Sequence, residues 1–419
     1  MEEKKRFQKG LLTGLICGAL GSFMVVVILG IIGVNFYISS NNTKKNISKE
    51  PVVQVEEEKT QEEVLGKMDQ IKKIMDDYFL FEVDDEALAE GMFAGMLNGL
   101  DDPYSVYYTE EQYNSLIEST TGIYYGIGVT VSQDVKTGII TVVKPFEGSP
   151  GYEAGMLPGD ILFSVNGEEV TGMDLTSAVT LIKGAEGTTV NISIVREGQT
   201  DYIDLVVERR QIEIPTIEYE MLENQIGYIQ ILQFDEITYT QYMEALAELS
   251  TAGMKGLVID LRDNPGGRLD VVEAMLDAIL PEGLLVYTED KDGKRADEYY
   301  SDPNSVLNVP LTILVNGNSA SASEIFAGDI QDFGAGTIVG TTTFGKGIVQ
   351  RIYTLGDGTA VKITVSKYYT HAGRNIHEIG IKPDVEIELL EELKTKVKIE
   401  KSEDNQLQKA IEVLMQQLQ

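Results

Sequence analysis

Leu311-Thr-Ile-Leu-Val-Asn-Gly-Asn-Ser-Ala-Ser-Ala-Ser-Glu324 reads as a buried strand that runs into small and hydroxyl residues and then an acid. Its first five residues are apolar or β-branched, the mark of a strand covered on both faces, as in a parallel sheet. The pattern recurs upstream, where Gly256-Leu-Val-Ile-Asp-Leu261 enters Arg262-Asp-Asn-Pro-Gly-Gly267. Downstream, Ile338-Val339-Gly340 enters a loop from Thr341 to Gly347. With a further strand over 226–231 and helices over 239–249 and 269–279, the alternation predicts a mixed α/β domain. The three loops then sit at carboxyl ends of strands, where open α/β sheets collect their chemistry. β structure is expected over 353–386 and a last helix over 405–418.

A serine attacks a carbonyl only when a base removes its proton, and histidine is the usual base. The chain has two histidines, His371 and His377, both in one C-terminal loop and neither beside an evident aspartate motif. Lysine is the alternative when burial holds its pKa down. Lys346 stands between Gly345 and Gly347 in the third loop, and Ser319, Ser321 and Ser323 share the first. Pro265-Gly266-Gly267 lets backbone N–H groups face a cavity, as an oxyanion hole needs. Each element also has a plain reading. Ser321 and Glu324 would cap a helix, Lys346 would be solvated, and Asn264 to Gly267 would be a turn. Together, in this order, they predict a Ser/Lys site.

The 419 residues suggest two or three domains. Acidic residues number 67 against 34 basic ones, a net charge of −33 that disfavours nucleic acid and anionic lipid as partners. Lys4, Lys5, Arg6 and Lys9 precede a stretch from Gly10 to Asn42 without a charge. That run is long enough to span a membrane and shows no clear cleavage site, so an uncleaved anchor is expected, with its basic flank inside. Cys17, the only cysteine, lies within it, so the exported part has no disulfide. Residues 39–62 are a polar tether. Apolar residues at Val64, Met68, Ile71, Ile74, Met75, Leu88, Met92, Met96 and Leu97 predict two or three helices before a turn at Asp101-Asp-Pro-Tyr104.

Residues 122–208 form a compact β-rich unit, with one amphipathic helix over 175–182. The unit resembles a PDZ domain through Tyr125-Gly-Ile-Gly-Val129, Ser149-Pro-Gly-Tyr-Glu-Ala-Gly155, Gly159-Asp-Ile-Leu162, Val165-Asn-Gly167 and Val195-Arg-Glu-Gly198. The resemblance implies a sheet edge that takes an extended peptide, with Tyr125, Gly126, Ile127, Gly128 and Val129 holding its terminal carboxylate. It also makes Arg196 the candidate sensor of an engaged tail.

From about residue 64 to 418 the chain resembles the carboxyl-terminal processing peptidases, the tail-specific serine proteases with a Ser/Lys dyad. The motifs are Leu100-Asp-Asp-Pro-Tyr-Ser105, the PDZ unit, Leu261 to Gly267, Ser319 to Glu324, Gly340 with Thr343 to Gly347 and Gln350, and Gly380-Ile-Lys-Pro-Asp384. Thr370-His-Ala-Gly373 departs from the family, which usually has proline before that glycine. The resemblance assigns Ser321 as nucleophile, Lys346 as base and Gln350 as the residue that orients it. The oxyanion donors would be the N–H groups of Ala322 and Gly267, with Gly266 as the alternative. It implies a ClpP/crotonase-like α/β core, no metal or organic cofactor, and a homodimer through the flanking helices.

The chain is thus expected to be an α/β multidomain protein. Its parts would be a cytoplasmic N-terminus (1–10), a transmembrane anchor (11–38), a linker (39–62), a helical region (63–120), a PDZ domain (121–209), a peptidase core (210–390) and a C-terminal helical region (391–419). The expected activity is cleavage of exported protein tails outside the plasma membrane, the protein being anchored by a single pass. A non-catalytic PDZ scaffold that binds protein C-termini is the alternative.

Overall fold

The computed structural model describes residues 60–418 apart from positions 135, 306 and 397. The expected anchor over 11–38, its orientation and most of the tether lie outside the described residues. Among the described residues no helix is long and apolar enough to cross a membrane.

The chain divides into two units, one ending at Val83 and the other beginning at Asp84. The first contains α1 (Gln61–Tyr78), which starts at a reciprocal cap between Thr60 and Glu63. None of its residues is buried. The second opens with α2 (Asp85–Asn98), β1 (Val106–Tyr108) and α3 (Glu110–Thr121). The helix pattern therefore continues past the Asp-Pro turn, because Thr109 and Gln112 cap a further helix that periodicity alone did not mark.

The β-rich unit follows. Its elements are β2 (Ile123–Gly126), β3 (Val129–Gln133), β4 (Ile140–Pro145), the single turn α4 (Pro150–Glu153), β5 (Ile161–Val165) and β6 (Glu168–Glu169). Then come α5 (Leu175–Ile182), β7 (Thr189–Val195), β8 (Ile203–Glu208) and β9 (Arg210–Glu213). Strand order is β3-β4-β5-β7-β8, with β6 attached to β5. Ile140, Val142, Leu162, Val190, Ile192 and Ile194 fill its core under Ala178 and Ile182 of α5. β3 is an edge strand, so one row of its backbone groups is open to a peptide. The unit enters by β2 and leaves by β9, and these two pair antiparallel from Ile123↔Glu213 to Gly126↔Arg210. Its two linkers are thus one ribbon.

The remaining chain carries β10 (Ile217–Leu222), β11 (Ile226–Ile231), α6 (Thr238–Thr251), β12 (Gly256–Asp260), α7 (Leu269–Asp277) and the hairpin β13 (Gly283–Glu289) and β14 (Arg295–Ser301). Next are β15 (Leu311–Val315), α8 (Ala322–Asp332), β16 (Thr337–Gly340), β17 (Ile348–Thr354), β18 (Ala360–Tyr369), β19 (Val385–Glu386) and α9 (Asn405–Gln417). One sheet has the order β10-β11-β12-β15-β16-β19, all parallel except the edge strand β10. Alternation along its strands makes two cores. Ile229, Ile259, Ile313 and Val315 pack with α6, α7 and α8, while Tyr228, Val258, Leu314 and Val339 pack with Leu407, Ala410 and Leu414 of α9. Burial on both faces is why these strands read as continuous apolar runs.

A second sheet has the order β1-β18-β13-β14, with β17 also on β18. β1 pairs with β18 from Val106↔Lys362 to Tyr108↔Ala360, which brings the Asp101–Ser105 turn to the peptidase core. The β structure expected over 353–386 is interrupted between β18 and β19 by turns.

Candidate active site

Three loops converge at the carboxyl ends of β12, β15 and β16. The first is fixed by Asn264, which is fully buried. Its Nδ2 donates to Ile231 O (2.8 Å), its Oδ1 accepts Gly266 N–H (2.8 Å), and its carbonyl accepts Ala320 N–H and the Ser323 hydroxyl (both 3.0 Å). Ser319 Oγ donates to Leu261 O at 2.8 Å. Two of the three serines thus serve as struts between loops. Among the described residues the Ser321 hydroxyl donates to no acceptor, its Oγ meeting only the Glu324 N–H of its own helix cap, and Ser321 sits half-buried at φ 56° and ψ −114°, a strained positive-φ conformation at the mouth of α8.

Glu324, fully buried in the first turn of α8, joins the serine to the lysine loop. Its carboxylate accepts Ser321 N–H (2.9 Å), Gly345 N–H (2.7 Å), Lys346 N–H (2.8 Å) and the Thr343 hydroxyl (2.5 Å). Tyr368 adds a second tie, its hydroxyl donating to Lys346 O (2.7 Å) and leaning on Ser321 O (3.1 Å). Gly347 packs so close to His377 that a Cβ there would lie 2.5 Å from the His377 nitrogen. Neither histidine bonds the serine among the described residues: His371 Nδ1 is 2.7 Å from Leu284 O with its ring against Phe333, and His377 Nδ1 is buried without a hydrogen-bond partner there.

The glycine pair has the backbone an oxyanion hole requires. Gly266 and Gly267 have φ of 104° and 148°. A Cβ on Gly266 would touch Ser321 Cβ (2.8 Å) and Ala322 N (3.0 Å), so this turn packs directly on the serine. Gly266 N–H is taken by Asn264, whereas no acceptor within the described residues takes the N–H of Gly267 or Ala322. That geometry favours Gly267 over Gly266 as a donor.

Lys346 is half-buried. Burial, then the positive charge of Lys362, pulls its pKa below the ordinary lysine value, while Asp102 and Glu324 act in the other direction. Its Nζ lies over the Tyr104 ring, 4.6 Å from the centroid, and makes no ion pair or hydrogen bond among the described residues. Phe344 is 56% exposed, turned outward by the loop, and the Tyr104 ring supplies cover to the lysine nitrogen. Gln350, on β17, donates through Nε2 to Thr364 Oγ1 at 3.3 Å.

In the β-rich unit, Gly126, Ile127 and Val129 line a small groove of about 90 Å³ between β3 and α5, with Val179 and Ile182 opposite. Tyr125 and Gly128 are not part of that lining. Gly128 instead carries the turn, and a Cβ there would lie 2.4 Å from Ser149. Lys183 pairs with Glu118 of α3 beside the groove. Arg196 lies outside it. Its Nε and Nη2 grip Asp160 (both 2.7 Å), and Nη2 also donates to Gly155 O (2.7 Å).

A cavity of about 820 Å³ opens beside β12 and α9 and is lined by neither Ser321 nor Lys346. Arg262 at its wall is bound to Asp260 and Asp404, an arrangement that anchors α9. Sequence reasoning missed Glu324, Asn264, Thr343, Tyr368 and Tyr104 as parts of the site. The signal for Glu324 was its place in Ser-x-x-Glu; Tyr104 stood in a quoted motif without an assigned role.

The peptidase family S41 model matches residues 225–387, the PDZ domain model 140–196, and the activating protease CtpB N-terminal domain model 25–112. The carboxy-terminal processing protease CtpA of Bacillus subtilis is 38% identical over 329 residues, 77% of this chain and 70% of that one. CtpB of the same organism is 35% identical over 332 residues, 78% of this chain and 68% of that one. A solved S41 protease from Bacteroides fragilis has the same fold, with a TM-score of 0.50 at 17% identity, covering 90% of this chain and 100% of that one. The chain belongs to peptidase family S41 and is a PDZ-containing serine peptidase of that family.

Proposed function

We propose that this protein is a membrane-anchored endopeptidase that binds the C-terminal tail of exported proteins through its PDZ domain and cleaves them with Ser321 and Lys346. The observation that carries the reading is Glu324. One buried carboxylate holds the backbone of both residues, while the serine hydroxyl is the only one of its run left uncommitted. Lys346, neutral when its Nζ swings from Tyr104 to the serine, takes the Oγ proton as Oγ attacks the scissile carbonyl. The oxyanion forms against the N–H groups of Gly267 and Ala322. The lysine ammonium then protonates the leaving amine, and water hydrolyses the acyl-enzyme by the same route. Gln350 would orient the lysine in its forward position.

The anchor would be the uncharged run over 11–38 with its basic N-terminal flank inside, placing the catalytic part outside the plasma membrane. A homodimer is supported by apolar side chains that stay exposed among the described residues: Val64, Leu65, Ile71 and Ile74 on α1, and Met92 and Met96 on α2. The test is cleavage of tailed peptides by the full chain in detergent. Ser321→Ala and Lys346→Ala should each lower kcat at least about 10³-fold with circular dichroism unchanged. Near-full activity of Lys346→Ala sinks the dyad, and activity of Ser321→Ala sinks the reading as a whole.

A further inference from the structure

We propose that Tyr104, with Asp102 beside it, is a positioning residue for Lys346: its ring face holds the lysine ammonium away from Ser321 and so sets the pH at which the base becomes free. The inference rests on the Ser/Lys reading above. Nothing else within the described residues carries the lysine nitrogen, which sits 4.6 Å from the Tyr104 centroid without an ion pair or hydrogen bond. A ring quadrupole attracts the ammonium and not the neutral amine, so this contact resists loss of the proton.

The turn that presents Tyr104 is firmly held. Asp102 Oδ1 accepts Tyr104 N–H (3.0 Å), and Asp102 Oδ2 accepts the Ser105 hydroxyl (2.6 Å). Ser105 Oγ in turn accepts Thr364 N–H from β18 (3.1 Å), and the Thr364 hydroxyl accepts from Gln350. Pairing of β1 with β18 fixes the other end of the turn. A segment far from the catalytic loops in sequence is thereby tied to β18, the strand whose Thr364 also accepts from Gln350 of β17.

Burial and three charged groups act on the lysine as well. Burial and Lys362, on β18, oppose the ammonium, while Asp102 in the turn and Glu324 on α8 favour it. Lys362 is itself stationed over the Tyr108 ring, 5.3 Å from its centroid. Tyr104 contributes both cover and a π face, and the two effects have opposite signs. Leucine keeps the cover and loses the face; phenylalanine keeps both. The pair of substitutions separates attraction from packing.

The test titrates Lys346 directly in the full-length Ser321→Ala protein in detergent, labelled with 13C at lysine Cε. The resonance is assigned by its absence from Lys346→Arg. Tyr104→Leu should move that titration, and the rising limb of the pH–rate profile in the active enzyme, about 0.5–1 pH unit lower. Tyr104→Phe should leave both in place. An unmoved titration in Tyr104→Leu, or an equal move in Tyr104→Phe, overturns the proposal. Should Tyr104→Leu fail to fold, Asp102→Asn replaces it, since removing that charge should also lower the titration and an unmoved value is again fatal. A titration that moves while the rate limb stays confirms Tyr104 as the holder of the ammonium and removes lysine as the base, so the two readings fail separately.

Discussion

The catalytic region and the PDZ unit each bury an acid near the start of a functional loop, and they satisfy it differently. Glu324 is met by four neutral donors from two loops. Asp160, 1% exposed, is met by the Arg196 guanidinium and by Leu157 N–H at 2.8 Å. The first arrangement cross-links two loops and leaves a negative charge that the nearby lysine feels. The second closes a cation and an anion on each other and leaves little field outside the pair. The contrast teaches where the molecule concentrates function. Glu324 sets the backbone geometry of Ser321 and of the Lys346 loop and acts on the lysine charge, whereas Asp160 and Arg196 close on each other inside the PDZ unit.

Removing Glu324 should therefore have the largest effect. Glu324→Ala strands three backbone N–H groups and the Thr343 hydroxyl in a buried space, a loss of about 3–5 kcal/mol with no measurable cleavage. Urea denaturation and peptide turnover read both, and a stable, active variant would break the comparison at its first member. Next in size is Gly267→Ala. The new Cβ would lie 2.2 Å from Phe234 O at φ 148°, so the donor N–H must shift. Loss of one oxyanion donor predicts a kcat lower by about 10²–10³-fold, with binding of tail peptides to the PDZ groove unchanged. Unaltered kcat would show that the oxyanion is held elsewhere.

Much of this was legible before any coordinates. The apolar runs at 256–261 and 311–315 announced a two-sided sheet because burial on both faces leaves no alternation to read. The loops after them and after β16 carried the glycine pair, Ser321 and Lys346, and the structure joins these loops through Asn264 and Glu324. What stayed hidden has physical causes. Arg295–Ser301, half charged, forms β14 only because β13 supplies its pairing. Glu324 looked like a helix cap because it is one, paired with Ser321; its bonds to Gly345 and Lys346 are long-range and leave no local trace. Tyr104 reaches the lysine through β1 pairing with β18, a contact between ends of the chain that no periodicity encodes.

Arg196→Gln sharpens the second member of the comparison. If the arginine serves Asp160, its loss leaves a nearly buried carboxylate with Leu157 N–H as remaining donor. The PDZ unit should then lose about 1–3 kcal/mol, and tail-peptide affinity should fall only as far as folding does. A stable variant that binds tails normally yet no longer responds to them in turnover would restore Arg196 as a sensor.

The smallest effect comes from a third buried acid, one that neither solution satisfies. Glu273 on α7 is 9% exposed, and its Oε1 has no hydrogen-bond partner. Burial first, then the charges of Asp270, Asp297 and Asp329, pushes its pKa up from 4.5 to about 9. Below pH 4.5 folded and unfolded chains both hold this proton, and the stabilising contribution is complete. As pH rises toward about 9 the unfolded chain releases the proton while the folded chain keeps it, so stability falls through that window. Glutamine carries no proton to lose. Glu273→Gln should match the parent at about pH 4 and exceed it by on the order of 2 kcal/mol at pH 8.5, read from urea midpoints. Parallel pH curves for the two proteins would mean that Glu273 is ionised in the fold, and that the core tolerates an acid on terms unlike those of Glu324 and Asp160.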